Sequence, residues 1–122
     1  TGRIPVPYQA VYAVSKSAVI SMTESLQYEL EVEGLNFSVF CFGNVRTAIF
    51  GDLTPPPDSI SVDEAVDYIF QELKKKSLLI IFPEAMRNFD KLYRENRPEF
   101  DKIARQIATE RRENYRTKGT YY

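Results

Sequence analysis

Two short apolar runs constrain the fold of this chain more than any other feature. The first covers residues 35–42 and the second covers residues 77–82, which Pro83 follows. In the first run, one face carries Phe37, Val39 and Cys41 and the other carries Phe40 and Phe42. Strands with apolar side chains on both faces are typical of parallel sheets that helices cover. The sequence therefore predicts an α/β fold with two buried parallel strands.

Helical patterns surround these two runs. The first helix is predicted from Gln9 or Ala10 to about Glu33, where Gly34 follows as a stop signal. Its apolar residues recur at steps of three and four, which predicts a buried stripe. That stripe consists of Val11, Ala18, Met22, Leu26 and Leu30.

Three further helices are predicted. Ser61 and Glu64 have the spacing of a capping box, so a helix is expected from there to about Lys75. The charged region after Pro83 is expected to form helices near residues 84–95 and 98–115, because Pro98 interrupts the pattern. Residues 118–122 are expected to be frayed.

Composition excludes several classes of function. The 122 residues carry a net charge of −1, contain no histidine and contain a single cysteine, Cys41. Ser-His-Asp catalysis, histidine-ligated metal and an internal disulfide are therefore excluded within this chain. No apolar run is long enough to span a membrane and the opening residues do not resemble a signal peptide. We expect a cytoplasmic protein with no metal, nucleic-acid or membrane partner.

The most reactive pattern is Tyr12 followed four residues later by Lys16. On a helix these side chains project from one face, one turn apart. A phenol has an ordinary pKa of about 10, and a neighbouring ammonium lowers it by favouring the phenolate. Tyr12 is thus predicted to act as a general acid or base. The alternative is that Tyr12 packs at the helix end while Lys16 is merely solvated.

The residues around Tyr12 and Lys16 point to a protein family. Residues 12–18 read Y-x-x-S-K-x-A, residues 26–30 read L-x-x-E-L, and residues 43–47 read G-x-V-x-T. In order and spacing they resemble the short-chain dehydrogenase/reductase family. The resemblance implies a Rossmann-type doubly wound parallel sheet. It also implies an oxidoreductase that transfers a hydride between NAD or NADP and a carbonyl or alcohol substrate.

The resemblance also implies roles for individual residues. Tyr12 would be the catalytic acid or base, and Lys16 would lower its pKa and hold the ribose hydroxyls. The turn that follows the first strand would bind the nicotinamide through Gly43, Asn44, Val45 and Thr47. Phe42 stands where the family usually has proline. The next loop would cover an apolar substrate with Ile49, Phe50 and Leu53, although these side chains could equally pin the loop to the core.

Other family motifs are missing from the 122 residues. There is no glycine-rich pyrophosphate turn, no Asn-Asn-Ala-Gly stretch and no catalytic serine ahead of Tyr12. We therefore expect residues 1–122 to be the C-terminal part of a single domain whose N-terminal cofactor-binding half is missing. Within it, residues 1–82 would form the family core and residues 83–122 a charged helical extension.

Three expectations follow from that interpretation. The chain alone is expected to be an inactive fragment. In the family the helix from Tyr12 to Glu33 commonly packs against its copy, so a homodimer or homotetramer is expected. The alternative function is a non-catalytic scaffold or interaction module that binds a partner through the charged C-terminal helices.

Overall fold

The elements of the fold follow the predicted order. The computed structural model describes residues 2–121. The main elements are α1 (Ala10–Leu30), β1 (Val39–Phe42), α2 (Val62–Lys74), β2 (Leu79–Phe82), α3 (Glu84–Glu95) and α4 (Arg97–Lys118). They divide into two compact units. The first unit consists of the residues up to Val19 together with those from Asn88 onward, and the second unit is Ile20–Arg87.

A parallel pair of strands lies at the centre of the second unit. β1 pairs with β2 in a register that sets Val39 against Leu79 and Phe42 against Phe82. The predicted mixed α/β class with parallel strands is thereby confirmed. The buried apolar side chains of this unit are Ile20, Val39, Ile60, Ala65 and Ile80.

Both strands are shorter than the apolar runs predict. The amide of Phe37 donates to the side-chain oxygen of Gln27 at 2.8 Å, and the Ser38 hydroxyl donates to the Ser77 carbonyl at 2.7 Å. The ladder begins only where the Val39 amide donates to the Leu78 carbonyl, at 2.7 Å. Side-chain hydrogen bonds therefore replace strand pairing at Phe37 and Ser38.

The predicted buried stripe of α1 is wrong in most of its members. Val11 is 85% exposed and Met22 is 57% exposed, and Ala18 is also exposed. Ile20, outside the stripe, is the buried residue of this helix. Helical periodicity identifies the face that can be buried, but burial also needs an apposed surface.

The helix ends agree closely with the local signals. Ser61 accepts a hydrogen bond from the Glu64 amide at 3.1 Å, as the capping motif predicts. Gly34 adopts a left-handed φ of 80° after the 3-10 turn that ends α1. Pro98 lies in the first turn of α4, behind an Asn96 cap that accepts from the Glu99 amide at 3.3 Å. α4 extends past the predicted end at 115 to Lys118.

An aromatic group and a buried carboxylate organise the first unit. Phe100 is only 1% exposed, and its ring lies 5.2 Å from that of Phe89 and 4.8 Å from that of Tyr93. Asp90 is 3% exposed and accepts from Arg3 at 3.2 Å and from Arg94 at 2.9 Å. A buried charge requires such partners, because burial without them is costly. Within residues 2–121, no helix combines the length and the apolar character needed to cross a bilayer.

We expect Phe100→Ala to lower the free energy of unfolding by about 3–5 kcal/mol, because it removes a fully buried ring and leaves a cavity. Phe70→Ala is the matched control, since Phe70 is 61% exposed. Chemical denaturation of both variants measures the difference. Equal losses for the two variants would contradict the assigned core.

Candidate active site

The structure brings Tyr12 and Lys16 together in the first unit. Tyr12 lies in the first turn of α1 and is 51% exposed. The Lys16 ammonium nitrogen lies over its ring, 5.1 Å from the ring centroid. A cation in this position is attracted to the ring face. The pair therefore presents an accessible phenol with a positive charge beside it.

The serines near this pair hydrogen-bond to the backbone. The Ser15 hydroxyl donates to the Tyr12 carbonyl at 2.7 Å, which is a bond within the helix. The Ser17 hydroxyl donates to the Gly2 carbonyl at 2.7 Å and so attaches the segment before α1 to the helix. Both hydroxyls thus stabilise the local backbone around Tyr12.

A tight turn of unusual backbone conformation leads into α1. The Gln9 amide donates to the Val6 carbonyl at 3.1 Å, with Pro7 and Tyr8 between them. Tyr8 has a φ of 63°, in the left-handed region that residues other than glycine rarely adopt. This conformation costs about 1–2 kcal/mol for a residue with a Cβ. The turn is therefore maintained by contacts outside itself.

Those contacts come from the end of the chain. The Arg112 Nε donates to the Tyr8 phenol oxygen at 3.0 Å, and this hydrogen bond raises the pKa of Arg112. The Tyr8 ring also stacks on Tyr121, with centroids 5.2 Å apart. The expectation that residues 118–122 are frayed is wrong at Tyr121, because that ring is also stacked on Tyr115; Tyr122 lies outside the described residues.

Sequence reasoning missed this set of contacts. Arg112 and Tyr8 are 104 residues apart. No periodicity or motif links such distant positions. The available signal was Pro7 at the second position of a turn, which predicts the turn itself but not its partners.

In the second unit, the turn after β1 is held by backbone hydrogen bonds. The Gly43 amide donates to the Phe82 carbonyl at 2.9 Å, which continues the β1–β2 ladder. The Ile60 amide then donates to the Asn44 carbonyl, and the Arg46 amide donates to the Ile60 carbonyl, both at 2.9 Å. This bridge pairs Val45 with Ile60 in parallel. In such a bridge the amide and carbonyl of Val45 itself point away from Ile60.

Thr47 starts the loop that follows. Its side-chain oxygen accepts from the Ile49 amide at 3.4 Å and caps a short 3-10 turn over Ala48–Phe50. A hydroxyl that accepts one hydrogen bond keeps its own hydrogen to donate. The Thr47 side chain therefore retains a donor for another group.

Gly43 is required by packing within the second unit. A Cβ at this position would lie 3.1 Å from the Met86 Cγ and 3.2 Å from the Pro83 Cδ. The sequence suggested that this glycine allows a ligand to approach the backbone. The structure adds a second reason, because the start of α3 itself approaches the backbone closely.

The side chains of the predicted substrate loop are largely exposed. Ile49 is 84% exposed, Leu53 is 49% exposed, and Phe50 is half-buried. The sequence left two interpretations of this loop, a substrate wall or a loop pinned to the core. Ile49 is not packed on the core. Nearby, Ser59 is 5% exposed, and its hydroxyl has no hydrogen-bond partner among the described residues.

Metal chemistry has no evident site in the part of the chain that the structure describes. Among residues 2–121 there is no group of three or more cysteine or acidic side chains that could hold an ion. The pKa of Glu72 is lowered, first by a hydrogen bond from Lys75, whose side chain is exposed at the end of α2. The two residues form a surface ion pair rather than part of a site.

Comparison with known proteins supports one family. Residues 1–58 match the family model described as short chain dehydrogenase. The resemblance seen in the sequence is confirmed for that segment, which includes Tyr12, Lys16, the turn at 43–47 and the loop as far as Leu53. No curated protein and no solved structure matches the chain.

We expect Gly43→Ala to lower the free energy of unfolding by about 1–3 kcal/mol, because the added methyl group overpacks against Pro83 and Met86. Combining it with Met86→Ala is expected to cost less than the sum of the two single changes, because the shorter side chain relieves part of the clash. Urea denaturation of the three variants measures this coupling. Strictly additive losses would contradict the packing explanation.

Proposed function

We propose that this chain is part of an NAD- or NADP-dependent oxidoreductase that interconverts a carbonyl and an alcohol. Its residues 1–58 match the short-chain dehydrogenase family model. The observation that carries the proposal is the Tyr12–Lys16 pair. Its ammonium lies 5.1 Å from the ring centroid of an exposed phenol. That arrangement occurs inside the segment that matches the family.

Tyr12 is the proposed general acid or base. In the reducing direction its phenol donates a proton to the carbonyl oxygen, and in the oxidising direction the phenolate accepts a proton from the alcohol. Negative charge develops on the phenol oxygen when the proton leaves. The positive charge of Lys16 stabilises it by electrostatic attraction, which strengthens when a bound substrate displaces water from the exposed phenol.

The turn in the second unit has the groups that a nicotinamide requires. A carboxamide has one acceptor and two donors. The backbone of Val45 has an amide and a carbonyl that face away from its bridge partner, and Thr47 has a hydroxyl hydrogen to donate. These residues, with Gly43 and Asn44, would hold the ring, and Lys16 would hold the ribose hydroxyls. When bound, the nicotinamide supplies or accepts the hydride.

The loop after this turn suggests the substrate class. Ile49 and Leu53 expose apolar side chains that are free of a core role. Burying such side chains against a ligand is favourable by about 25 cal/mol per Å² of apolar surface. We propose an apolar carbonyl or alcohol as the substrate.

The activity requires more than these 122 residues. The glycine-rich turn that binds a pyrophosphate is not in the sequence. We propose that the chain acts as the C-terminal part of a doubly wound parallel sheet, together with a nucleotide-binding segment. The exposed apolar side chains of α1, such as Val14 and Met22, support a further proposal that this helix pairs with its copy in a homodimer or homotetramer.

Tyr12→Phe in the full-length protein that carries this segment is expected to lower kcat about 10²–10⁴-fold, because the general acid or base is lost. NADH binding, followed by fluorescence titration, is expected to change little. Tyr28→Phe is the matched control, because Tyr28 lies on the same helix and is 66% exposed. Unchanged turnover in Tyr12→Phe would refute the catalytic assignment and favour the non-catalytic scaffold.

A further inference from the structure

We propose that contacts from Arg111, Arg112 and Tyr121 hold the turn at residues 6–9 in place, and we call this set of contacts the lock. These three residues are thereby positioning residues for Tyr12. The importance of the lock for turnover rests on the function proposed above. The lock itself is a statement about backbone stability and can be tested without activity.

The turn needs an external lock because Tyr8 stores backbone strain. Its φ of 63° suits glycine, and the side chain of tyrosine makes that conformation unfavourable. A free chain would relax Tyr8 to a negative φ and redirect the residues that follow. The contacts of the Tyr8 side chain are therefore what keeps the turn in place.

Two successive arginines of α4 bond two successive residues of the turn. The Arg111 Nη1 donates to the Pro7 carbonyl at 2.8 Å, and the Arg112 Nε donates to the Tyr8 phenol oxygen at 3.0 Å. Hydrogen bonds from a charged donor are stronger than neutral ones. The Arg111 contact restrains the backbone of the turn, and the Arg112 contact holds the side chain of Tyr8, whose backbone is strained.

An aromatic stack completes the lock. Tyr121 lies between Tyr8 and Tyr115, at centroid distances of 5.2 and 4.8 Å and interplanar angles of 30° and 18°. Gly119 has a φ of 71°, and its amide donates to the Tyr115 carbonyl at 3.0 Å. This glycine turn redirects the chain after α4, so that Tyr121 can reach both rings.

The lock reaches Tyr12 through the first turn of α1. The Gln9 carbonyl, which belongs to the locked turn, accepts the Ala13 amide at 2.8 Å. The first turn of α1 has no acidic side chain that would stabilise the helix N-terminus through the helix dipole. Helix ends fray readily, and Tyr12 and Lys16 adjoin each other only while that turn is helical. Holding Gln9 in place therefore holds the Tyr12–Lys16 pair together.

Hydrogen exchange in the full-length protein tests the lock directly. In Arg112→Ala, the amides of Gln9 and Ala13 are expected to exchange about three- to tenfold faster, because the strained turn opens more often. Arg116→Ala is the matched control, because the Arg116 guanidinium bonds Glu113 of its own helix at 2.9 Å. Equal exchange in wild type and Arg112→Ala would overturn the lock.

A second variant keeps the test valid if Arg112→Ala folds poorly. A Cβ at Gly119 would meet no atom within 4 Å, so Gly119→Ala acts through the left-handed backbone alone. It is expected to weaken the Tyr121 stack and to accelerate exchange at the same two amides. Faster exchange elsewhere with no change at Gln9 and Ala13 would overturn the proposed role of the stack.

Kinetics of the full-length enzyme separate positioning from general stability. Arg112→Ala is expected to lower kcat several-fold with little change in the KM for the cofactor, and Arg112→Lys is expected to restore much of the loss by keeping a charged donor. Faster exchange with unchanged kcat would overturn the positioning role while the lock stands. An unchanged kcat in Tyr12→Phe would instead refute the function on which that role rests.

Discussion

The second unit depends on the parallel pairing of β1 with β2. This pairing sets Phe42 beside Phe82 and brings Gly43 against the Phe82 carbonyl at the carboxyl end of the strands. The segment that follows is then fixed by its bridge to Ile60. Ligands of open parallel sheets bind beyond this end of the strands. The small sheet thus fixes the position of the turn at residues 43–47 through backbone hydrogen bonds.

The first unit depends instead on polar and aromatic contacts between distant parts of the chain. Asp90 is buried with Arg3 on one oxygen and Arg94 on the other. Tyr8 is held by Arg112 and by the ring of Tyr121. These contacts join the segment before α1 to the C-terminal helices. The charged residues that make α4 look like a docking surface in the sequence therefore include residues that stabilise the unit internally.

Local signals predicted the fold well where each signal acts within a few residues. The Ser61 cap, the Gly34 stop and the position of Pro98 all agree with the structure, because caps and breakers act on adjacent backbone groups. The adjacency of Tyr12 and Lys16 follows from helical geometry in the same way. Burial on α1 was mispredicted, because periodicity describes a helix face and says nothing about the presence of a partner surface.

The sequence by itself determined the helices, the two parallel strands and the spacing of Tyr12 with Lys16, since these depend on periodicity, capping and backbone geometry. The tertiary structure alone decided the contacts that hold Tyr8 in its left-handed conformation and the order of Tyr121. It also decided that Gly43 is needed for packing against Met86. Each of these features depends on a contact between residues far apart in the chain, and such contacts leave no pattern in the neighbouring sequence.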